Sequence, residues 1–189
     1  PIRLVGDPAA PRVVGTVNPD QDHTDALAAY GEQVAAELPA ISGYIVMQQS
    51  PSCGLERVKV YQDNGHPSEP KGRGIFTRVL CERHPNLPIE EEGRLNDPVL
   101  RENFLTRVFT YSQWQTLCES GLTRGKLIEF HARHKYLLMA TDPLRYKRLG
   151  RMLSDLSAQD LDELAVRYIA ELMTALKRCA TRGTHSNVL

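Results

Sequence analysis

The sequence predicts a partial α/β layered domain followed by an all-α four-helix domain, and three observations carry that prediction. Residues 1 to about 95 are rich in glycine and proline and hold only short apolar runs. From about residue 97 onward the pattern changes to long helical periodicity, interrupted only by Pro98 and Pro143. Within the first region, helix and strand signals alternate, as in an α/β layer, yet the strands are too few for a complete sheet. The layer is therefore expected to be missing its N-terminal part. Domains are expected at 1–95 and 96–189.

In the first region Asp22-His23-Thr24-Asp25 precedes Ala26, Leu27, Tyr30, Val34 and Leu38. Thr24 or Asp25 would cap a helix there, and Pro39 ends it. Tyr44-Ile45-Val46-Met47 reads as a short strand buried on both faces, stopped by Pro51 and Gly54. A second strand is expected at Val58 to Tyr61, then an Asp63-Asn64-Gly65 turn. Gly72-Arg73-Gly74 opens a short helix carrying Ile75, Phe76, Val79 and Leu80. Leu87-Pro88-Ile89-Glu90 reads as an edge strand, because proline is tolerated only at edges.

The second region begins with Asp97-Pro98, an N-cap followed by proline at the first helical position. Leu100, Phe104, Val108, Tyr111, Gln115 and Cys118 would form one stripe along the first helix. A second helix is expected from Thr123 to Thr141, with Leu127, Phe130, His134, Leu137 and Leu138 on one face. Asp142-Pro143 starts a third, carrying Tyr146, Leu149, Met152 and Leu153. Ser157-Ala158-Gln159-Asp160 resembles a capping box before a fourth, whose inward residues are Leu161, Leu164, Tyr168, Leu172, Ala175, Leu176 and Cys179. Four amphipathic helices with short links read as a small bundle.

Composition narrows the function classes. Hydrophobic residues make up 41% and charged residues 24%, the balance of a globular protein. Lys+Arg and Asp+Glu are 23 each, which argues against bulk binding to nucleic-acid phosphates while allowing a local basic patch. No apolar run is long enough to span a membrane. Cys53, Cys81, Cys118 and Cys179 form no CxxC pair, so neither a zinc ribbon nor a thioredoxin motif is present. Four scattered thiols do not suggest a disulfide scaffold, and a cytoplasmic location is expected. There is no Walker motif, nucleophile elbow or HExxH.

Ser50-Pro51-Ser52-Cys53-Gly54 is the sharpest local feature. It follows a strand, and ligands of open α/β sheets sit beyond the carboxyl ends of strands. Two hydroxyls and a thiol presented there suit metal binding or nucleophilic work; a small buried cysteine in a turn is the bland alternative. Cys81, Cys118 and Cys179 read as packing residues. His131 and His134 lie three apart on a helix, flanked by Arg133 and Lys135. They could meet an anion or a metal, although His134 reads better as a hydrogen-bonded core residue. Glu90-Glu91-Glu92 is a charge run at the junction, ordinarily a solvated link; salt bridges of Arg94, Arg101 and Arg107 with Glu90, Glu91, Glu92 and Glu102, pinning the two domains together, are the expected role. Gly72-Arg73-Gly74 could receive an anion on its backbone N–H groups.

Together these motifs resemble the TudS-like thiouracil desulfidase family fused to a YbgA-like all-helical domain. Ser50-Pro51-Ser52-Cys53-Gly54 is similar to the hallmark loop of that family, as are the flanking Ile41-Ser42-Gly43-Tyr44-Ile45 and Gly72-Arg73-Gly74-Ile75-Phe76. Leu87 to Leu95 resembles the junction of the two-domain members. Arg101-Glu102-Asn103-Phe104, Phe130 to Lys135, and the tail Thr184 to Leu189 resemble the helical domain.

The resemblance implies a 4Fe-4S cluster held by three cysteines, with one iron open to the sulfur of a thiocarbonyl substrate. Thiouracil would become uracil without net redox. Cys53 is the one cysteine matching a ligand position, so it is the expected iron and cofactor ligand, with Ser50 and Ser52 as the expected catalytic hydroxyls. The family's other two cysteines, and an acidic residue adjoining one of them, belong to segments expected to precede Pro1. The chain is thus expected to lack the family's N-terminal segment, to carry no cluster by itself and to be inactive as a fragment. The implied partner is a small thiolated nucleobase. The alternative is a nucleic-acid or protein binding module, for which Arg133, Lys135, Arg145, Lys147, Arg148 and Arg151 supply clustered positive charge.

Overall fold

Two short apolar runs, additional to the expected elements, begin the first unit. Ile2–Val5 (β1) and Arg12–Gly15 (β2) pair antiparallel, Leu4 opposite Val13. The turn between them is closed by Asp7, which accepts the Ala9 N–H on its side chain (2.9 Å) and the Ala10 N–H on its carbonyl (3.0 Å). Gly6-Asp7-Pro8 between two apolar runs is the signal that marks this hairpin. The computed structural model describes residues 1–62, 65–66, 71–154 and 159–186. The chain divides into two compact units, Pro1–Asp97 and Pro98–Leu189.

In the first unit β1 also pairs in parallel with Val60–Tyr61 (β4), giving a three-stranded sheet of order β2-β1-β4. Tyr44–Val46 (β3) and Ile89–Glu91 (β5) form a separate parallel pair. Two helices complete the layer, Thr24–Glu37 (α1) and Ile75–Arg83 (α2). Leu4, Val13, Val58, Val60 and Ile75 make one core cluster, each contributing about 1.5–3 kcal/mol by leaving water. The expected α/β layer is therefore present. Asp63, Asn64 and Ser157, parts of the expected turn and capping box, lie outside the described residues, as do the last three residues of the tail.

Two details differ from expectation. Thr24 does not cap α1: its hydroxyl accepts the Val13 N–H (2.8 Å), and Asp22 instead accepts the Thr24 N–H (2.8 Å). These hydrogen bonds from Thr24, side chain and backbone, hold the Asp22 carboxyl below its ordinary pKa. β3 is not buried on both faces either. Val46 is buried, but Ile45 and Met47 are 54% and 64% exposed.

The second unit is helical: Pro98–Glu119 (α3), Arg124–Arg133 (α4), Lys135–Thr141 (α5), Pro143–Met152 (α6), Leu161–Leu176 (α7) and Arg182–Ser186 (α8). The expected second helix is split at His134, which both ends α4 and begins α5. Its Nδ1 lies 2.8 Å from the Phe130 carbonyl oxygen, so a side chain competes with the ladder for that acceptor. The buried stripe of α3 is Phe104, Arg107, Thr110 and Trp114, rotated from the expected one, and Cys118 is exposed. Arg107 and Thr110 disguised this stripe, while apolar residues such as Phe109 occupy the outer face. Asp160 caps α7 by accepting the Asp162 and Glu163 N–H groups, both at 3.0 Å. Leu164, Tyr168, Leu172 and Leu176 of α7 lie in the core with Trp114, Leu127, Phe130, Leu138 and Leu149.

Candidate functional site

The Ser50–Gly54 loop leaves β3 and runs against the start of α2. Its conformation is fixed by backbone chemistry. The Ser50 carbonyl accepts the Gly54 N–H (2.8 Å), and the Ser50 hydroxyl accepts the Cys53 N–H (3.3 Å). The Ser52 carbonyl accepts the Phe76 N–H (2.9 Å), and the Cys53 carbonyl accepts the Thr77 hydroxyl (2.7 Å). Gly74 donates to the Gly54 carbonyl (2.8 Å). Farther along, Glu91 receives both the Leu55 and Glu56 N–H groups on one carboxylate oxygen, at 3.0 and 3.3 Å, and Arg73 Nε donates to the Leu55 carbonyl (2.9 Å). From the Ser52 carbonyl to the Glu56 N–H, each backbone polar group of the segment has a partner, as buried backbone requires.

Two glycines make that fit possible. A Cβ on Gly74 would lie 2.5 Å from the Cys53 nitrogen and from the Ser52 carbonyl carbon. Gly74 has φ −60° and ψ 142°, a conformation open to any residue. It must be glycine for close approach alone. A Cβ on Gly54 would meet the Ser50 backbone at 2.9 Å. The segment is also bracketed by two non-glycine residues in the left-handed region, Gln49 and Arg57, both with φ 57°. Such residues cost on the order of 1–3 kcal/mol each and persist where the surroundings over-determine them.

Ser50, Ser52 and Cys53 are all half-buried. The two hydroxyls lie 3.0 Å apart, so the structure brings the three expected site residues into one turn. A cleft of about 300 Å³ borders this loop, lined by Arg3, Gln49, Pro51, Lys59 and Tyr61 among others. The Arg3 guanidinium lies over the Tyr61 ring, 5.5 Å from its centre.

The acidic run is not a solvated link. Glu90 and Glu91 are buried in β5. Arg94 holds Glu90 (2.8 Å) and Glu56 (3.1 Å), and Glu92 accepts the Gln48 N–H (2.7 Å). These acids fasten the loop. The start of α2, read as an anion site, is occupied by the Ser52 carbonyl. Sequence reasoning missed Thr77, Gly74 and Glu91 as parts of this site. Their signal was faint: a threonine just after a GxG helix start, and three acids in a row where a β-strand was also expected.

The donors present do not match the cluster implied by the resemblance. Among the described residues there is no group of three or more His, Cys, Asp or Glu able to hold a metal ion. Cys53 is the one thiol of the loop, so the described residues alone do not fit a cluster that needs three thiolates.

In the helical unit His131 and His134 are drawn into packing. His131 Nδ1 lies 3.2 Å from the Tyr168 hydroxyl, and its ring stacks parallel to Tyr146 at 5.7 Å. Burial lowers the pKa of both imidazoles, helped by their neighbours His134 and Arg133 respectively, and raises that of the buried Tyr168. Three of the six cationic candidates pair with acids: Arg133 with Glu129, Arg145 with Asp142 and Glu171, Arg148 with Glu171. No described helix is long and apolar enough to cross a membrane.

Comparison with known proteins divides the chain in the same order. Residues 1–92 match a family model described as 2-thiouracil desulfurase, and residues 135–189 match one described as a protein of unknown function, DUF1722. The uncharacterized protein YbgA of Escherichia coli (strain K12) is 33% identical over 89 residues, which are 47% of this chain and 53% of that protein. The chain thus spans about half the length of this curated relative. No solved structure matches the chain.

Proposed function

We propose, from the match of residues 1–92 to the family model described as 2-thiouracil desulfurase, that the whole protein removes sulfur from a thiolated pyrimidine, converting thiouracil to uracil with an iron–sulfur cluster. Residues 1–95 would be the C-terminal part of the desulfidase domain, and 96–189 the YbgA-like helical domain. Cys53 would supply one thiolate, and the remaining ligands would come from outside the described residues. The 189 residues alone would then be inactive, because a single thiolate does not hold a cluster.

The observation that supports this reading is the complete pairing of the backbone from the Ser52 carbonyl to the Glu56 N–H. With that stretch satisfied, the Cys53 thiol and the hydroxyl pair of Ser50 and Ser52 are the side-chain groups of the loop that can meet a ligand. The two hydroxyls, 3.0 Å apart, share one of their protons, so the pair can orient and polarise a heterocycle by donating the other to a ring or exocyclic acceptor. The bordering cleft offers the Tyr61 ring and two cations, Arg3 and Lys59, suited to a flat, acceptor-rich base. Nucleic-acid or protein binding by the helical unit is the weaker reading, since Arg133, Arg145 and Arg148 already pair with acids.

The test is anaerobic purification of the protein extended to its natural start, with iron and acid-labile sulfide measured per chain. About four of each, the cubane stoichiometry, and their loss in Cys53→Ala are the expected results. Negligible iron after reconstitution would sink the cluster reading and bring the binding module forward. Full iron in Cys53→Ala would end the ligand role of that residue.

A further inference from the structure

Cys53 is held by two side chains that no motif of the loop contains. Thr77, in the first turn of α2, donates its hydroxyl to the Cys53 carbonyl at 2.7 Å. Glu91, 2% exposed at the end of β5, accepts the next two free N–H groups, those of Leu55 and Glu56. A carboxylate receiving two backbone N–H groups makes charge-assisted bonds, about twice as strong as neutral ones. Thr77 itself is fully buried. The two anchors come from different elements and grip the chain on either side of Gly54. The strained Gln49 and Arg57 lie just outside the gripped segment. A segment strained at both ends needs such anchors to keep its shape.

We propose that Thr77 and Glu91 are positioning residues of the Cys53 loop: they fix the backbone that presents the half-buried thiol, and without either of them the loop loosens and the thiol becomes more accessible. The assignment rests on reading Cys53 as the functional thiolate of the loop, but its test needs neither cluster nor substrate. Each cysteine of the full chain serves as its own reporter. The rate of alkylation by iodoacetamide would be followed site by site by mass spectrometry, with Cys81, Cys118 and Cys179 as internal controls.

Thr77→Val, which removes the hydroxyl at nearly constant volume, should raise the Cys53 rate roughly tenfold, the equivalent of one lost buried hydrogen bond. Thr77→Ser should return it close to the starting rate. Glu91→Gln keeps an acceptor but loses the charge, so a severalfold rise is expected. The control rates should stay unchanged. An unaltered Cys53 rate in Thr77→Val and Glu91→Gln would overturn the proposal. So would a rise shared by Cys81 and Cys179, which reports general loosening, or a Thr77→Ser variant as reactive as Thr77→Val. Iron content of the extended protein is read separately: its failure, with the alkylation response intact, overturns the cluster reading and leaves the positioning role standing.

Discussion

The helical unit and the Ser50–Gly54 loop of the first unit hold their shape by different means. In the helical unit, side chains at helical spacing leave water together: Leu164, Tyr168 and Leu172 of α7 meet Trp114, Phe130 and Leu149 in one cluster. Trp114 lies 5.4 Å from the Phe130 ring and 5.7 Å from Tyr168. The Ser50–Gly54 loop has little apolar surface to bury. It stands on backbone hydrogen bonds, on a buried carboxylate and on the absence of a Cβ at Gly74. The first arrangement tolerates small losses at many places. The second depends on a few atoms and places functional groups where no helix could put them.

The comparison is sharpened most by damaging one side alone. Leu172 is fully buried in the helical cluster. Leu172→Ala should cost about 2–5 kcal/mol, the range for truncating a packed core leucine. Peptide-resolved hydrogen exchange should show the loss across α7 and its neighbours, with exchange at Leu55 and Glu56 unchanged. Matching loss in the loop would break the contrast between a packed cluster and a loop held by hydrogen bonds.

The converse substitution is Gly74→Ala. Its Cβ would overlap the Ser52–Cys53 peptide at 2.5 Å, and the obstacle is backbone rather than a flexible side-chain tip. A cost of about 1–3 kcal/mol is expected, as for overpacking, appearing as faster exchange at Gly54, Leu55 and Phe76 with α7 unaffected. Unchanged exchange at those positions would mean that the loop can shift freely, contrary to the tight fit described above.

The same contrast explains what the sequence disclosed. Helices α6 and α7 are legible because their apolar residues recur at three and four, with Asp142-Pro143 and Asp160 marking their starts. The split at His134 was hidden, since its cause is a ring nitrogen reaching the Phe130 carbonyl, which no spacing announces. The α3 stripe was misplaced because Arg107 and Thr110 are polar residues in buried positions. Ser50, Ser52 and Cys53 stood out as a compact motif, but their anchors did not. Thr77 is 24 residues from Cys53 and Glu91 is 36 from Leu55, and a long-range contact leaves no local pattern. Strands β1 and β2 were within reach of the sequence: each has four residues, more than β3 or β4, and Gly6-Asp7-Pro8 between the two apolar runs is a turn signal.

The smallest effect separates the units by pH. Burial lowers the pKa of His131, with His134 adding to it, and also that of His134, where Arg133 helps and the Phe130 carbonyl opposes. In the unfolded chain both should titrate near the ordinary value of about 6.5. Below that value the unfolded state takes up protons that the native state still refuses, so stability falls as pH falls. The contribution of neutral imidazoles is complete above about 6.5 and is lost on descent through the lowered native values. Protonating His131 also disturbs its bond to Tyr168, because an imidazolium Nδ1 carries a proton and can no longer accept from the phenol. The helical unit should therefore exchange faster as pH drops from about 8 to about 5, after correction for intrinsic exchange. His131→Gln, which cannot titrate, should flatten part of that slope, and the remainder belongs to His134. A slope unaltered by His131→Gln would show that the Tyr168–His131–Tyr146 stack is indifferent to the imidazole charge, and that this unit is as purely apolar in its energetics as its helix pattern suggests.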